Sequence, residues 1–280
     1  MNRNFLCKII AQKREAVEKL RAGNSVDALH ASALEIRKNA ARHRLLRALE
    51  TDSSGLKIIA EFKRRSPSLG VIRGDLSPVD VAAGYERGGA CAISVLTDEE
   101  YFGGSIGDLV AVRSSTELPV LRKDVIIDPI QIYEAAIAGA DAVLLIAAAV
   151  DDVSIGELRM LAEGELGLDA LVEVHTSDEL HRALNADAKL IGVNNRNLQT
   201  FEVSLNTSER LIAEAPRDRV MVSESGLQSA KSLRCLHALG FRGFLIGEAL
   251  MRASDPGAAL RDLIAAVEDW QDPSAGAHQL

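Results

Sequence analysis

The sequence predicts a closed (β/α)8 barrel with an N-terminal helical extension, on three observations. Eight short apolar runs recur along the 280 residues, their starts roughly 20 to 35 residues apart, the length of a strand plus a crossover helix. Helix-start signals and helix-ending glycines separate the runs. Charged and amide side chains stand at the C-terminal ends of several runs, and in such barrels those ends carry the chemistry.

Taken in order, residues 5–50 precede the first run. Phe5, Ile9, Ile10, Val17 and Leu20 follow helical spacing, with Lys13, Arg14 and Glu15 between them. A second helix is expected from Val26 to Leu49. With the linker Thr51-Asp-Ser-Ser-Gly55, residues 1–55 form an extension whose apolar face must cover one end of the barrel. The barrel itself is placed at residues 56–270. Its runs are Lys57–Lys63, Ala90–Leu96, Pro119–Lys123, Ala142–Ile146, Ala170–Val174, Leu190–Asn194, Val220–Glu224 and Gly243–Gly247. Ser77-Pro78 and Asp128-Pro129 each supply a cap followed by Pro at the first helical position, and Thr176 or Ser177 caps a later helix. Arg87-Gly-Gly89, Ala138-Gly139 and Leu239-Gly240 end helices. The last helix runs from Pro256 to Trp270, and residues 271–280 read as a flexible tail. No linker calls for a second domain.

Composition narrows the function classes. A 47% hydrophobic content supports one large core. Against 40 acidic residues stand 32 basic ones, a net charge of −8, which favours neither nucleic acid nor a membrane surface as partner. An anionic substrate needs a local positive pocket. Three cysteines without a CxxC argue against a disulfide framework, and Cys91 and Cys235 read as small buried hydrophobes. With no signal peptide and no apolar run of spanning length, the expected compartment is the cytoplasm. There is no GxGxxG, GxxxxGK[ST], GxSxG or metal-ligand histidine spacing. An acid/base enzyme using no cofactor and no metal fits best, acting on a small phosphorylated molecule as a monomer or weak homodimer.

The strand ends supply the candidates. Glu61 and Lys63 lie on one side of the first strand by alternation. They form either a salt-bridged strand end or a buried pair at the barrel mouth. The basic loop Arg64-Arg65-Ser66-Pro67-Ser68-Leu69-Gly70 is either an anion clamp or simply solvated. Lys123 ends the third strand and can act as an acid if burial or a second cation, such as Lys63, lowers its pKa. Glu173 stands between valines, so it is paired or functional. His175 shares its parity and either lines the mouth or is structural. Asn194-Asn195-Arg196-Asn197 offers amides and a guanidinium for hydroxyls or a carboxylate. Ser223-Glu-Ser-Gly226 and Ile246-Gly-Glu248 follow strands seven and eight, where barrels often bind phosphate through backbone N–H groups. The side chain of Glu248 should point away from that anion.

The chain resembles the indole-3-glycerol-phosphate synthase family of tryptophan biosynthesis. The resemblance rests on Ile58-Ile-Ala-Glu-Phe-Lys-Arg-Arg-Ser-Pro-Ser68, Ser94-Val-Leu-Thr97, Tyr101-Phe-Gly-Gly-Ser105, Arg122-Lys-Asp124, Ala140-Asp-Ala-Val-Leu-Leu-Ile146, Leu171-Val-Glu-Val174, Ile191-Gly-Val-Asn-Asn-Arg-Asn-Leu198, Ser223-Glu-Ser-Gly226 and Phe244-Leu-Ile-Gly247. It implies ring closure of 1-(2-carboxyphenylamino)-1-deoxyribulose 5-phosphate with loss of CO2 and water. By analogy Lys123 is the general acid, with Lys63 sharing that work, and Glu173 is the general base. Glu61 and Asn194 orient the substrate and stabilise developing charge. Ser66, beside Pro67, and Arg196 hold the anthranilate carboxylate. Ser225 and the backbone of Gly226, Gly247 and Glu248 hold the phosphate. Leu96, Phe102 and Leu144 contact the ring. The family usually has Phe where this chain has Val125, which implies a looser aromatic pocket. Its loop often carries Lys where this chain has Leu69. Two rival readings are another barrel enzyme of phosphorylated sugars, which would use a carboxylate or cysteine, and a silent binding subunit, which would lack Lys63, Lys123 or Glu173.

Overall fold

A computed structural model describes residues 5–51 and 55–269. Eight parallel strands close into a barrel: β1 (Lys57–Phe62), β2 (Ala92–Leu96), β3 (Val120–Lys123), β4 (Ala142–Ile146), β5 (Asp169–Val174), β6 (Leu190–Asn194), β7 (Val220–Glu224) and β8 (Gly243–Ile246), with β1 pairing both β2 and β8. Each strand has two buried faces, as expected of a parallel sheet covered by helices. One face packs outward: Ile58, Ala60, Phe62, Val143, Leu145, Val172 and Ile191 join a core shared with the crossover helices. The other fills the barrel with Ile59, Ala92, Leu121, Ala142, Leu144, Leu171, Leu190, Val222 and Leu245. Strand alternation therefore decides, at every strand end, which side chains enter the barrel mouth.

The capping signals work as the sequence implies. Ser77 Oγ accepts from the Asp80 amide and Asp128 Oδ1 from the Ile130 amide, each with Pro at the helix start. Thr176, rather than Ser177, caps Ser177–Asn185, accepting from the Glu179 amide.

The extension differs from expectation. Helix α1 (Phe5–Gly23) is followed by two helices, α2 (Val26–Arg37) and α3 (Arg44–Glu50), where one was expected. Buried Arg37 explains the break. Its guanidinium donates to the carbonyls of Ala41, Leu166 and Gly167, turning the chain, and His43 takes a left-handed φ of 53° at the start of α3. The three helices consequently reach both ends of the barrel. Leu45 and Leu49 of α3 join the barrel-filling cluster from its N-terminal end, while α1 lies at the mouth, where Phe5, Leu6 and Ile9 line the main cavity.

The last helix runs Pro256–Glu268; Trp270 and the tail lie outside the described residues. Cys235 is exposed on its helix and Cys91 half-buried just before β2, so Cys235 is not the core residue its helical spacing suggested. Among the described residues no helix is long and apolar enough to cross a membrane.

Candidate active site

The interior-facing parity delivers a charged ring to the barrel mouth. Residues Glu61, Lys123, Glu173, Asn194 and Glu224 each continue an inward-facing row, and neighbouring strands set them side by side: Glu173 is in register with Gly192, and Asn194 with Glu224. Two glycines make room. A Cβ at Gly192 would collide with Glu224 Oε1, and one at Gly247 with Glu61 Oε1, so only glycine lets these carboxylates lie across the neighbouring strand.

Lys123 is the hub. Its Nζ sits 3.0 Å from Glu173 Oε2 and 3.2 Å from Glu224 Oε2, and the three side chains are nearly sealed from solvent. Burial disfavours the ammonium, yet the charges of Glu173, Glu224 and Glu61 outweigh it and hold the group above the ordinary lysine range. The expectation that a second cation lowers this pKa is corrected. Lys63 is not free to act on Lys123, because its Nζ binds Glu61 Oε1 at 2.6 Å.

The two carboxylates around Lys123 diverge. Burial works against the charge of Glu173, but Lys123, His175 and a hydrogen bond from Asn194 keep it below the usual glutamate range. Glu224 is pushed up to about 7 by burial, reinforced by the charges of Glu173 and Glu61. Its Oε1 is buried with no hydrogen-bond partner among the described residues. Carboxylates driven apart in this way mark an acid/base pair.

Above this ring opens a cavity of about 430 Å3, sufficient for a small ligand. Every residue to which the family resemblance gives a role lines it: Glu61, Lys63, Ser66, Pro67, Leu96, Phe102, Lys123, Leu144, Glu173, Asn194, Arg196, Ser225, Gly226, Gly247 and Glu248. Val125 lies in its apolar wall with Ile146 and Leu144. Ser225 has a left-handed φ of 65°, a strained state for serine, and its carbonyl accepts from Asn195 Nδ2 at 3.1 Å. The Glu248 carboxylate turns to Arg196, whose Nη2 it meets at 3.1 Å, while Arg196 Nη1 reaches Ser68 Oγ at 3.3 Å.

Other candidates fall elsewhere. Arg64 and Arg65 neither clamp an anion in the cavity nor hang in solvent. Arg64 makes a two-point pair with Asp108, at 2.5 and 2.8 Å, and Arg65 donates to the carbonyls of Glu99 and Glu100, pinning the loop that carries Ser66. Asn195 is structural, with its amide spent on Ser223, Glu224, Ser225 and Ser208. His175 stands behind Glu173 and outside the cavity lining.

Sequence reasoning missed Glu224 and the residues of α1. Glu224 was legible in principle, since Val220, Val222 and Glu224 share one parity, and a carboxylate on the barrel-filling row is as telling as Glu173. Phe5, Leu6 and Ile9 carried only a generic apolar stripe. What fixes them is Lys13, buried on the same helix, with Nζ 2.8 Å from Asp98 and 2.7 Å from Asp124, the neighbour of Lys123. Phe5 also meets the rings of Tyr101 and Phe201 edge-on, each at 5.2 Å.

Comparison with known proteins bears on the fold and the family. Among solved structures, 3-hexulose-6-phosphate synthase superposes with a TM-score of 0.59 at 18% identity, covering 76% of this chain and all of that one. Thiamine phosphate pyrophosphorylase from Pyrococcus furiosus gives 0.58 at 18% identity, over 76% of this chain and 96% of its own. At such identities the likeness speaks for the barrel alone. Sequence is more specific. The indole-3-glycerol phosphate synthase of Bacteroides thetaiotaomicron is 43% identical over 266 residues, 95% of this chain and 100% of that protein. Since residues 6–263 also match the family described as indole-3-glycerol phosphate synthase, this chain belongs to the indole-3-glycerol phosphate synthase family.

Proposed function

We propose that this protein closes the indole ring of indole-3-glycerol phosphate from 1-(2-carboxyphenylamino)-1-deoxyribulose 5-phosphate, with Lys123 as general acid and Glu173 as general base. Family membership makes it a carbon–carbon carboxy-lyase of tryptophan biosynthesis, EC 4.1.1.48. The observation that carries the residue assignment is the buried contact of Lys123 with Glu173, 3.0 Å apart on the floor of a cavity with apolar walls.

The aromatic ring rests against Leu96, Phe102, Leu144 and Val125, with Phe5, Leu6 and Ile9 closing over it. Arg196 and Ser66 take the anthranilate carboxylate, and Ser225 with the backbone of Gly226, Gly247 and Glu248 takes the phosphate. Held in this way, the ring carbon bearing the carboxylate faces the sugar carbonyl, and such positioning lowers the barrier by several kcal/mol. Lys123, kept charged by its carboxylate neighbours, delivers a proton to the carbonyl oxygen as the carbon–carbon bond forms. CO2 departs, leaving its bonding pair in the ring. In the second step the new hydroxyl leaves with a proton as water, and Glu173 takes the proton from the adjacent carbon. Lys63, paired with Glu61, lies in the same wall and shares the acid work. Glu224, titrating near 7 and 3.2 Å from Lys123, is the group suited to reload that lysine with a proton.

The test is indole fluorescence after mixing pure protein with the deoxyribulose phosphate substrate, beside Lys123→Ala and Glu173→Gln. Product from the wild type and a loss of about 10²–10⁴-fold in each variant is expected. Activity that survives both substitutions would overturn the assignment.

A further inference from the structure

The start of the helix Ser177–Asn185 does more than cap itself. Thr176 accepts from the Glu179 amide, and the Glu179 side chain reaches back, as in a capping box displaced by one residue. There Glu179 Oε2 accepts from the His175 amide at 2.7 Å and faces the ring Nδ1 at 3.2 Å. The ring cannot then turn away. Its other nitrogen, Nε2, is buried, has no hydrogen-bond partner among the described residues, and lies 3.4 Å from Glu173 Oε1. On the far side, Glu173 Oε2 is held by Lys123.

Resting on the reading of Glu173 as general base, we propose that His175, oriented by Glu179, is a positioning residue for that base: the dyad sets an imidazole nitrogen against one oxygen of Glu173 while Lys123 holds the other. The contact runs behind the carboxylate, so His175 acts through Glu173 and not on substrate. A carboxylate that directs one imidazole nitrogen also directs the opposite one, because the ring is rigid. The titratable groups facing the ring are Glu173 on the strand just before it, Glu179 on the following helix and Glu224 on β7. All three are carboxylates. Burial opposes the ring's charge, but these neighbours prevail and raise its affinity for a proton.

The consequence is directional. A cation beside Glu173 lowers the pH at which the base becomes protonated. Removing it raises that pH. In His175→Gln the acid limb of the kcat/KM profile moves upward by about 1 pH unit, so that activity on that limb, below the wild-type midpoint, falls up to about tenfold while KM changes little. Glu179→Gln leaves the ring in place but weakens its charge and orientation, so it moves the limb in the same direction by less. A purely structural histidine predicts the alternative: lower thermal stability and less active protein at every pH, with the limb unmoved in both variants. That result overturns the proposal.

A carbon-13 NMR titration of the Glu173 carboxyl, in the wild type and His175→Gln, requires no turnover. Its midpoint is expected to rise in the variant. A raised midpoint with an inactive wild type would defeat the proposed function and leave only the coupling between His175 and Glu173 standing. An active wild type with an unmoved midpoint would defeat the positioning role alone.

Discussion

Strand β5 carries a buried carboxylate at each end, and the two live in different worlds. Asp169, at the N-terminal end of the barrel, is fully engaged. One oxygen accepts the amides of Leu45 and Leu46 at 2.8 and 3.0 Å, and the other meets His43 at 3.1 Å. Nearby Asp141 is bound by Arg44, Arg113 and the Val120 amide. This end is plugged by Leu45 and Leu49. Four residues along the same strand, Glu173 faces a cavity, shares one lysine with Glu224, and has beside it an oxygen of Glu224 without a hydrogen-bond partner among the described residues. The same side-chain chemistry stabilises the fold where both carboxylate oxygens are answered and is poised for proton transfer where one is not. Barrels place these roles at opposite ends of their strands.

The sharpest way to break this comparison is to neutralise both ends of β5. Glu173→Gln should cost about 10²–10⁴-fold in turnover and leave the melting temperature close to the wild type. Asp169→Ala should do the reverse, destabilising by on the order of 3 kcal/mol through two orphaned amides and a lost plug contact. Its kcat per folded molecule should stay near the wild type. Paired melting curves and turnover numbers decide the matter; a Glu173→Gln protein that unfolds early would erase the distinction.

The next largest effect is expected at Lys13, where the mouth is built like the opposite end. Lys13→Met leaves Asp98 and Asp124 as buried carboxylates short of a cation, a loss of about 3–5 kcal/mol. It should also raise KM by loosening α1 over the aromatic pocket. An unchanged melting temperature would show that α1 is held by apolar contacts alone.

The smallest and most diagnostic effect is the pH dependence at Glu224. Its folded pKa is raised to about 7, so its stabilising protonation is fully present below the unfolded value and is lost as pH rises toward 7. Glu224→Gln should therefore match the wild type in stability near pH 4.5 and exceed it by on the order of 3 kcal/mol at pH 8. Denaturant titrations at the two pH values check the sign. A constant difference would mean that Glu224 does not titrate in this window.

How much of this was readable in the residues follows from geometry. Glu61, Lys63, Lys123 and Glu173 were visible because strand alternation is a local rule, and a charge among valines breaks it. Glu224 obeyed the same rule but stood beside Ser223, Ser225 and Gly226, where a polar residue looks like the start of a loop. The fate of Arg64 and Arg65 was not readable at all. Their partners, Asp108 and the carbonyls of Glu99 and Glu100, lie 34 to 44 positions away, and no local pattern encodes that distance. The break between α2 and α3 was hidden for the same reason, since Arg37 finds its partners in the segment before β5.

The sequence by itself determined the eight-strand repeat, the capped crossover helices and most, though not all, of the groups that the strand ends present to the mouth. Each depends on contacts within a few residues or on a fixed period of two. Only the tertiary structure decided the charge states. Lys123 is held charged by carboxylates arriving from three other strands, Glu173 and Glu224 are split by how each is buried around it, and α1 closes the pocket through a lysine that meets two different loops. Electrostatic effects in a low-dielectric interior depend on distances of a few ångströms between residues far apart in the chain, and only the closure of the barrel sets those distances.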